Sequence, residues 1–352
     1  MGVAEPTITV QSLLARLVAG EDLTATETAA VMDEVLTDAA SPVAVGAFLV
    51  ALRAKGETAE EVAGLASAML GHAKRFEAPG RAVDIVGTGG DGAHTVNVST
   101  MASIVIAGTG LTVVKHGNRA ATSKSGSADV LAALGVNLEL PAERVAQLAG
   151  EVGITFCFAQ VFHPSMRFAM PIRRELGIPT TFNVLGPLTN PAQPAATAIG
   201  CASRRLAPVL AGVVASQGRE ALVFHGDDGL DELAPTAAAT VWEVRAGEVT
   251  ELRLDPVADL GLAPITIADL RGGEAEENAA VARAVFAGEP GPVRDTVVLN
   301  AAAGLVADGT LPGTGDGTLV ERFVAGMEHA ARAIDSGAAA GVLERWAAAS
   351  QS

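Results

Sequence analysis

From Ala82 onward the chain alternates short apolar runs with helical stretches, and glycines punctuate the joins. Ala82–Val86 reads as a strand that stops at Gly87-Thr88-Gly89-Gly90-Asp91-Gly92. Asn97–Ala107 then reads as a helix closed by Gly108 and Gly110. Leu111–Val114 is the next strand, and Ser127–Leu134 the next helix, stopped by Gly135. Glu143–Gly150 reads as helix, Ile154–Phe158 as strand and Pro164–Leu176 as helix. Ala196–Ala202, Leu206–Ser216 and Ala221–Phe224 repeat the strand–helix–strand cycle. A parallel neighbour requires a crossover, and a crossover helix must bury its apolar stripe on the sheet, so this alternation predicts an α/β fold with a mostly parallel central sheet flanked by helices. The 49% hydrophobic content, much of it Ala, Val and Leu, suits helices packed on a buried sheet. Thr240–Val244 and Val249–Leu254 flank Ala246-Gly247 and predict a hairpin. Beyond Glu274 the pattern is mostly helical.

The first 76 residues differ, showing helical spacing and no strand pattern. Thr24-x-x-Glu27 and Thr58-x-x-Glu61 are capping boxes, and Ser41-Pro42 places a cap residue before a proline at the first helical position. Gly20, Gly56 and Gly71 fall where helices should stop. The expected organisation is a small helical domain over residues 1–76 and a larger α/β domain over 77–352, a division that 352 residues can support.

The formal net charge is −16, yet no Asp or Glu occurs from Gly92 to Ala128. An anionic ligand needs such a local reversal of field. Within and beside that stretch lie three donor-rich segments: Gly87 to Asp91, Asn97-Val98-Ser99-Thr100, and Lys115-His116-Gly117-Asn118-Arg119 running through Thr122, Ser123 and Ser125 to Ser127. Glycines let backbone N–H groups approach an anion, and a helix start near Asn97 offers further free donors. Neither the Walker pattern nor the Rossmann fingerprint is present. Each segment alone also has a plain reading, the glycines as a tight turn and Lys115 as a solvated strand-end residue. His94 and His116 also read as hydrogen-bonded loop residues. Together the segments point to a phosphorylated small molecule.

Asp231-Glu232 could hold Mg²⁺ while phosphates fill its other positions, although Asp227-Asp228 beside it also fits a solvated acidic loop. A second acid-free stretch between Glu151 and Glu175 carries Arg173 and Arg174, which could meet a carboxylate; adjacent helical residues diverge, so at most one faces a pocket. Cys157 and Cys201 sit in apolar surroundings and are expected to be buried, reduced thiols. Aromatic residues at 3%, no Tyr and a strongly acidic balance argue against nucleic-acid and anionic-membrane binding. With no basic, apolar leader or membrane-length run, the expected location is the cytoplasm.

These segments, with Arg173-Arg174-Glu175-Leu176-Gly177, Phe182-Asn183-Val184-Leu185-Gly186-Pro187-Leu188-Thr189-Asn190-Pro191 and Asp231-Glu232, resemble the anthranilate phosphoribosyltransferases over roughly residues 10 to 345. The resemblance implies transfer of a phosphoribosyl group from PRPP to the amine of anthranilate in tryptophan biosynthesis, with Mg²⁺, two ions per monomer. It places Gly87, Gly90, Asp91 and Thr95 on PRPP, with Asn97, Val98, Ser99 and Thr100 around its phosphates. Lys115, His116, Gly117, Asn118, Arg119, Ala120, Ala121, Thr122 and Ser123 would form a loop over PRPP, and Ser127 would add a donor. Gly87, Asn118, His163, Arg173 and Pro187 would meet anthranilate, and Ser99, Asp231 and Glu232 would serve the metal. It further implies that helices of the 160–180 region pack on the small domain, and that two copies dimerise through it. No residue is expected to act as an essential base, because an aniline nitrogen is already unprotonated at neutral pH. A pyrimidine nucleoside phosphorylase would be expected to carry Lys-His-Ser-Thr-Gly-Gly at the first loop. Nucleic-acid-binding relatives would be expected to show a basic surface and degraded motifs.

Overall fold

The computed structural model describes residues 8–120 and 124–352. Four helices come first: α1 (Val10–Val18), α2 (Ala25–Leu36), α3 (Pro42–Lys55) and α4 (Ala59–Gly71). Both capping boxes form: Thr24 and Thr58 hydroxyls accept from the Glu27 and Glu61 amides, and those carboxylates accept from the cap N–H groups. Ser41 caps α3 just ahead of Pro42.

Seven strands follow: β1 (Ala82–Gly87), β2 (Thr112–Gly117), β3 (Ile154–Phe158), β4 (Ala196–Gly200), β5 (Glu220–Gly226), β6 (Ala239–Arg245) and β7 (Glu248–Leu254). They form one sheet in the order β3-β2-β1-β4-β5-β6-β7. β1 to β5 run parallel, and β6 and β7 extend the sheet antiparallel. The hairpin turns through Ala246 and Gly247, both at positive φ (50° and 81°), as a two-residue primed turn demands. The chain steps outward from β1 to β3 and then returns on the other side of β1 with β4. The β1–β4 seam is therefore the switch point, where the connections leave in opposite directions and a crevice opens at the carboxyl ends.

Eleven further α-helices occur among the described residues: α5 (Val98–Gly108), α6 (Ser127–Ala133), α7 (Ala142–Val152), α8 (Ala159–Phe162), α9 (Ala169–Leu176), α10 (Phe182–Leu185), α11 (Ala207–Ser216), α12 (Ala275–Phe286), α13 (Pro292–Asp308), α14 (Leu319–Asp335) and α15 (Ala338–Ala349). One apolar cluster joins Val83, Ile85 and Leu222 of the sheet to Val105, Leu299, Phe323 and Trp346 of α5 and α13 to α15. On the other face Ile199, Val223 and Trp242 pack with Leu210, Val213 and Val214 of α11, and this cluster runs on into Phe48, Leu52 and Leu65 of the first four helices. Ile172 and Leu176 of α9 lie against Gly46 of α3.

Two of the differences from the boundaries read in the sequence bear on the site. The stretch Pro164–Leu176 is a 3-10 turn (Pro164–Phe168) followed by α9. The restart puts Pro171 in the first turn of α9, the one place where its missing N–H breaks no helical bond. β2 runs on to Gly117, so Lys115, His116 and Gly117 belong to the strand and the following loop begins at Asn118. Both cysteines are free and buried. Among the described residues no helix is long and apolar enough to cross a membrane.

Candidate active site

The glycine loop after β1 sits on the switch point. Gly89, Gly90 and Gly92 adopt φ of 68°, 88° and 74°, which a side chain would resist. Thr88 N–H donates to the Gly200 carbonyl at the end of β4 (2.9 Å), and Thr88 Oγ1 accepts from Ala202 N–H (3.1 Å). The loop thus bridges the two diverging strands. Gly87 and Gly200 are both needed for packing: a Cβ on Gly200 would lie 1.6 Å from the Asp231 carbonyl, and one on Gly87 would lie 2.3 Å from Asp231 Oδ2.

That close approach seats Asp231 and Glu232 beneath the loop, and neither is a solvated residue. Asp231 Oδ2 accepts from Gly89 N–H (2.6 Å), and Glu232 Oε1 accepts from Thr95 Oγ1 (3.3 Å). Burial, then the negative charge of Asp91, pushes the Asp231 carboxyl up to about 7. Burial, then Asp231 and Asp91, pushes Glu232 well above its ordinary value. Asp91 Oδ2 and Glu232 Oε2 are buried without a hydrogen-bond partner. Crowded carboxyl groups with two orphaned oxygens have the chemistry that a hard divalent cation prefers. Among the described residues no group of three or more His, Cys, Asp or Glu side chains is placed to hold a metal ion by itself. This suits Mg²⁺, which keeps several waters and takes oxygens from a bound phosphate.

Helix α5 starts beside this loop. Its N-cap residue, Asn97, makes no side-chain cap bond, so the first-turn N–H groups lack the usual side-chain acceptor. Val98 and Thr100 are fully buried, Thr100 Oγ1 has no partner, and Ser99 Oγ accepts from Lys115 Nζ (3.2 Å). Lys115 is only 1% exposed and also donates to the Ile85 carbonyl (2.5 Å). Burial lowers its ammonium to about 8 against the opposing pull of Asp84. Lys115 is therefore a buried support for the start of α5 rather than part of a loop. Asp84, fully buried, accepts from His116 N–H (3.3 Å) and Asn190 Nδ2 (2.9 Å); Asn190 also donates to the Val114 carbonyl (2.7 Å). Burial raises the Asp84 carboxyl, and the charges of Lys115 and Arg219 resist that rise.

His116 Nδ1 lies 2.9 Å from the Gly186 carbonyl and His163 Nε2 lies 2.9 Å from the Thr189 carbonyl. A carbonyl only accepts, so those nitrogens carry the protons and His116 Nε2 and His163 Nδ1 are bare acceptors. Both are buried without partners, with ring centroids 5.1 Å apart. Burial foremost lowers His116 to about 4 and His163 to about 3, so both rings are neutral at pH 7. Pro187 lies buried in the turn Gly186–Leu188, between the Gly186 carbonyl that meets His116 and the Thr189 carbonyl that meets His163.

Arg173, in the last turn of α9, is half-buried, with its guanidinium 5.3 Å over the Phe182 ring and its Nη1 3.7 Å from Met170 Sδ. No carboxylate pairs with it among the described residues, while neighbouring Arg174 is exposed. A π face orients the guanidinium without occupying its donor edge, which stays available to an anion. Arg119, by contrast, is taken by Asp129 (2.9 Å) and by the Phe158 ring. Asn118 is exposed and accepts from Arg119 N–H; Ala120 N–H donates to Asp129; Ser127 opens α6. Ala121, Thr122 and Ser123 lie outside the described residues. His94 is exposed at φ 55°. No hydrogen bond or ion pair among the described residues joins Arg173 to the glycine loop.

The chain matches the helical bundle domain of a glycosyl transferase family over residues 11–73 and that family's a/b domain over residues 79–340. It is 58% identical over 336 residues to an anthranilate phosphoribosyltransferase of Arthrobacter sp. (strain FB24), covering 96% of this chain and 94% of that one. The crystal structure of the anthranilate phosphoribosyltransferase from Thermus thermophilus superposes with a TM-score of 0.88 at 41% identity, covering 96% and 99% of the two chains. The Saccharomyces cerevisiae enzyme in complex with PRPP and Mg superposes with a TM-score of 0.86 at 31% identity, over 97% and 98%. This chain belongs to the anthranilate phosphoribosyltransferase family.

Within that family frame, sequence reasoning gave no role to Asp84, Phe182, Asn190 or Asn278. Asp84 had a readable signal, a carboxylate inside the apolar run Ala82–Val86, which must be paired once buried. Asn278 had none. It sits on α12, far along the chain, and its partners emerge only from the fold.

Proposed function

We propose that this chain transfers the 5-phosphoribosyl group of PRPP to the amine of anthranilate, releasing diphosphate, as a step of tryptophan biosynthesis. The observation that carries the reading is the Asp91–Asp231–Glu232 cluster, with two buried unpartnered oxygens, beside the glycine loop at the switch point, together with the start of α5 that lacks a side-chain cap. Gly87, Gly90, Asp91, Thr95 and the Asn97–Thr100 turn would hold the diphosphate and 5-phosphate, with Lys115 fixing Ser99 from below. Ser99, Asp231 and Glu232 would hold Mg²⁺, two ions per chain, with Asp91 acting through water. When bound, Mg²⁺ neutralises charge on the departing diphosphate.

The chain's own residues do the rest. Backbone donors of the loop and of α5 stabilise charge growing on the leaving oxygens. Arg173 would take the anthranilate carboxylate through two N–H groups, with Asn118, Gly87 and Pro187 shaping the ring's channel. His116 and His163, neutral and with bare nitrogens, can accept hydrogen bonds from the aniline N–H groups and orient the amine. At these lowered basicities neither serves as a strong base. Positioning the amine behind the anomeric carbon supplies much of the rate. Titration calorimetry in magnesium buffer tests the reading: stoichiometric PRPP uptake is expected, and no detectable heat would overturn it.

The neutral histidines carry a stability consequence. Their folded-state values lie below the ordinary 6.5, so the unfolded chain binds more protons as pH falls from about 6.5 toward 4. Stability is present in full above 6.5 and is lost on acidification. Between pH 7 and 4.5, wild type is expected to lose about 2–3 kcal/mol more than His163→Gln. Urea unfolding at the two pH values gives the comparison, and equal losses would show that His163 is not buried neutral.

The division into a helical domain (1–76) and an α/β domain (77–352) is our reading, as are the cytoplasmic location and a homodimer formed through the helical domain. Val18 (79% exposed), Val43 (83%) and Val50 (41%) on α1 and α3 support the last. Sedimentation equilibrium is expected to give twice the chain mass; a single-chain mass at micromolar concentration would remove the dimer.

A further inference from the structure

Asn278, 3% exposed on α12, links three separate parts of the chain. Its Oδ1 accepts from Gly273 N–H (2.8 Å), and its Nδ2 donates to Asn97 Oδ1 (2.8 Å). Asn97 Nδ2 in turn donates to the Ser125 carbonyl (3.1 Å). The direction of this relay is dictated by its ends. Gly273 N–H can only donate and the Ser125 carbonyl can only accept, so both amides have a single permitted orientation. The relay begins on firm ground: Val96 N–H donates to the Leu270 carbonyl (2.8 Å), Gly272 N–H to the His94 carbonyl (2.8 Å), and Thr95 pairs with Arg271 across a short bridge.

It ends where two arms of the Asn118–Ser127 segment meet. Asp129 accepts from Ala120 N–H (3.1 Å), Gly126 N–H (2.9 Å) and Arg119 (2.9 Å), and Ala128 N–H donates to the Asn118 carbonyl (3.2 Å). A Cβ on Gly126 would lie 2.4 Å from Ala120 N, so the arms touch. Asn97 is also the N-cap residue of α5, and it makes no cap bond because its amide is committed to the relay. One polar chain therefore does two things at once. It keeps the Asn97 side chain off the first turn of α5, where Val98 and Thr100 N–H donate to backbone carbonyls, and it ties the Ser125–Ser127 arm, with the Asn118–Ala120 arm held against it, to that start.

We propose that Asn278 is a positioning residue for PRPP, acting through the orientation of the Asn97 amide; this rests on the phosphoribosyl-transfer reading. Asn278→Asp is the sharpest test because it keeps size and reverses polarity. A carboxylate there still accepts from Gly273 N–H but forces Asn97 to turn its Nδ2 inward, setting Asn97 Oδ1 against the Ser125 carbonyl, acceptor against acceptor. The expected result is an increase of about tenfold in the PRPP KM with the anthranilate KM within about twofold. Hydrogen exchange of the Ala120 and Gly126 amides in the ligand-free protein should quicken while exchange in β1, β4 and α13 stays as in wild type. Asn278→Ser, which breaks the relay without adding charge, should show the same pattern and serves if the aspartate variant does not fold. An unchanged PRPP KM, or faster exchange spread evenly over the sheet, would reduce Asn278 to a packing residue and overturn the proposal. The ligand-free exchange reports on the relay whether or not PRPP is the ligand. Normal exchange changes with no PRPP uptake by wild type would therefore sink the reading of the site and leave the relay standing.

Discussion

Changing Asp231 to Asn and Glu232 to Gln together is expected to abolish magnesium-dependent PRPP uptake and, in the same protein, to raise the melting temperature in metal-free buffer. The two effects share one cause. Asp231, Glu232 and Asp91 crowd into a site where two carboxylate oxygens are buried and unpartnered. Without a cation, this arrangement costs folding energy, because buried like charges repel and are poorly solvated. Isosteric amides remove the repulsion while the Asn oxygen can still accept from Gly89 N–H. Relief of about 1–3 kcal/mol is expected. The same substitution removes the charge that would hold the ion under the diphosphate, and kcat/KM for PRPP should fall by at least about a thousandfold. Thermal melts and calorimetric titration on one preparation check both halves. A less stable variant that still binds PRPP with magnesium would show the carboxylates to be ordinary structural acids.

Much of this was readable before any coordinates. The alternation of Ala82–Val86, Ile154–Phe158, Ala196–Ala202 and Ala221–Phe224 with helices predicts the parallel sheet, because few topologies bury such strands. The glycine loop announces itself by the glycines crowded between Gly87 and Gly92. What escaped the sequence depends on partners remote in the chain. β2 was expected to end at Val114 because Lys115 looked like a solvated terminus; the strand continues because Ile85, Ser99 and Asp84 receive the ammonium from a neighbouring strand and helix. On spacing alone Asp231-Glu232 reads first as a solvated acidic loop beside Asp227-Asp228, and only the contact with Gly87 and Gly200 shows that Asp231 is buried. Arg119 reads as one of the charges of the phosphate-binding stretch, yet Asp129 and Phe158 hold it. Phe182 carried no reading of its own beyond the family motif, and its ring face is the counterpart of Arg173.

Arg173→Ala is expected to raise the anthranilate KM by about 30- to 100-fold while moving the PRPP KM by less than about threefold. The guanidinium is half-buried, lacks a carboxylate partner among the described residues and has its face occupied by Phe182. Its donor edge is thus reserved for an external anion. A charge-assisted, two-pronged hydrogen bond to a carboxylate is worth about 2–3 kcal/mol, which gives that range. Arg173→Lys should recover only part of the loss, since a point charge cannot present two parallel donors. Phe182→Leu should fall between wild type and Arg173→Ala, because it frees the guanidinium to wander without removing it. Steady-state kinetics with each substrate varied in turn separates these outcomes. Equal effects on both KM values would mean that Arg173 supports the fold rather than the second substrate.

The most direct test of the central claim is anthranilate fluorescence followed over time in the presence of the purified protein. The signal should decay at an enzymatic rate when PRPP and Mg²⁺ are both present and hold steady when either is omitted. A decay that ignores PRPP, or a flat trace with both present, would contradict the transfer chemistry assigned to the crevice between β1 and β4.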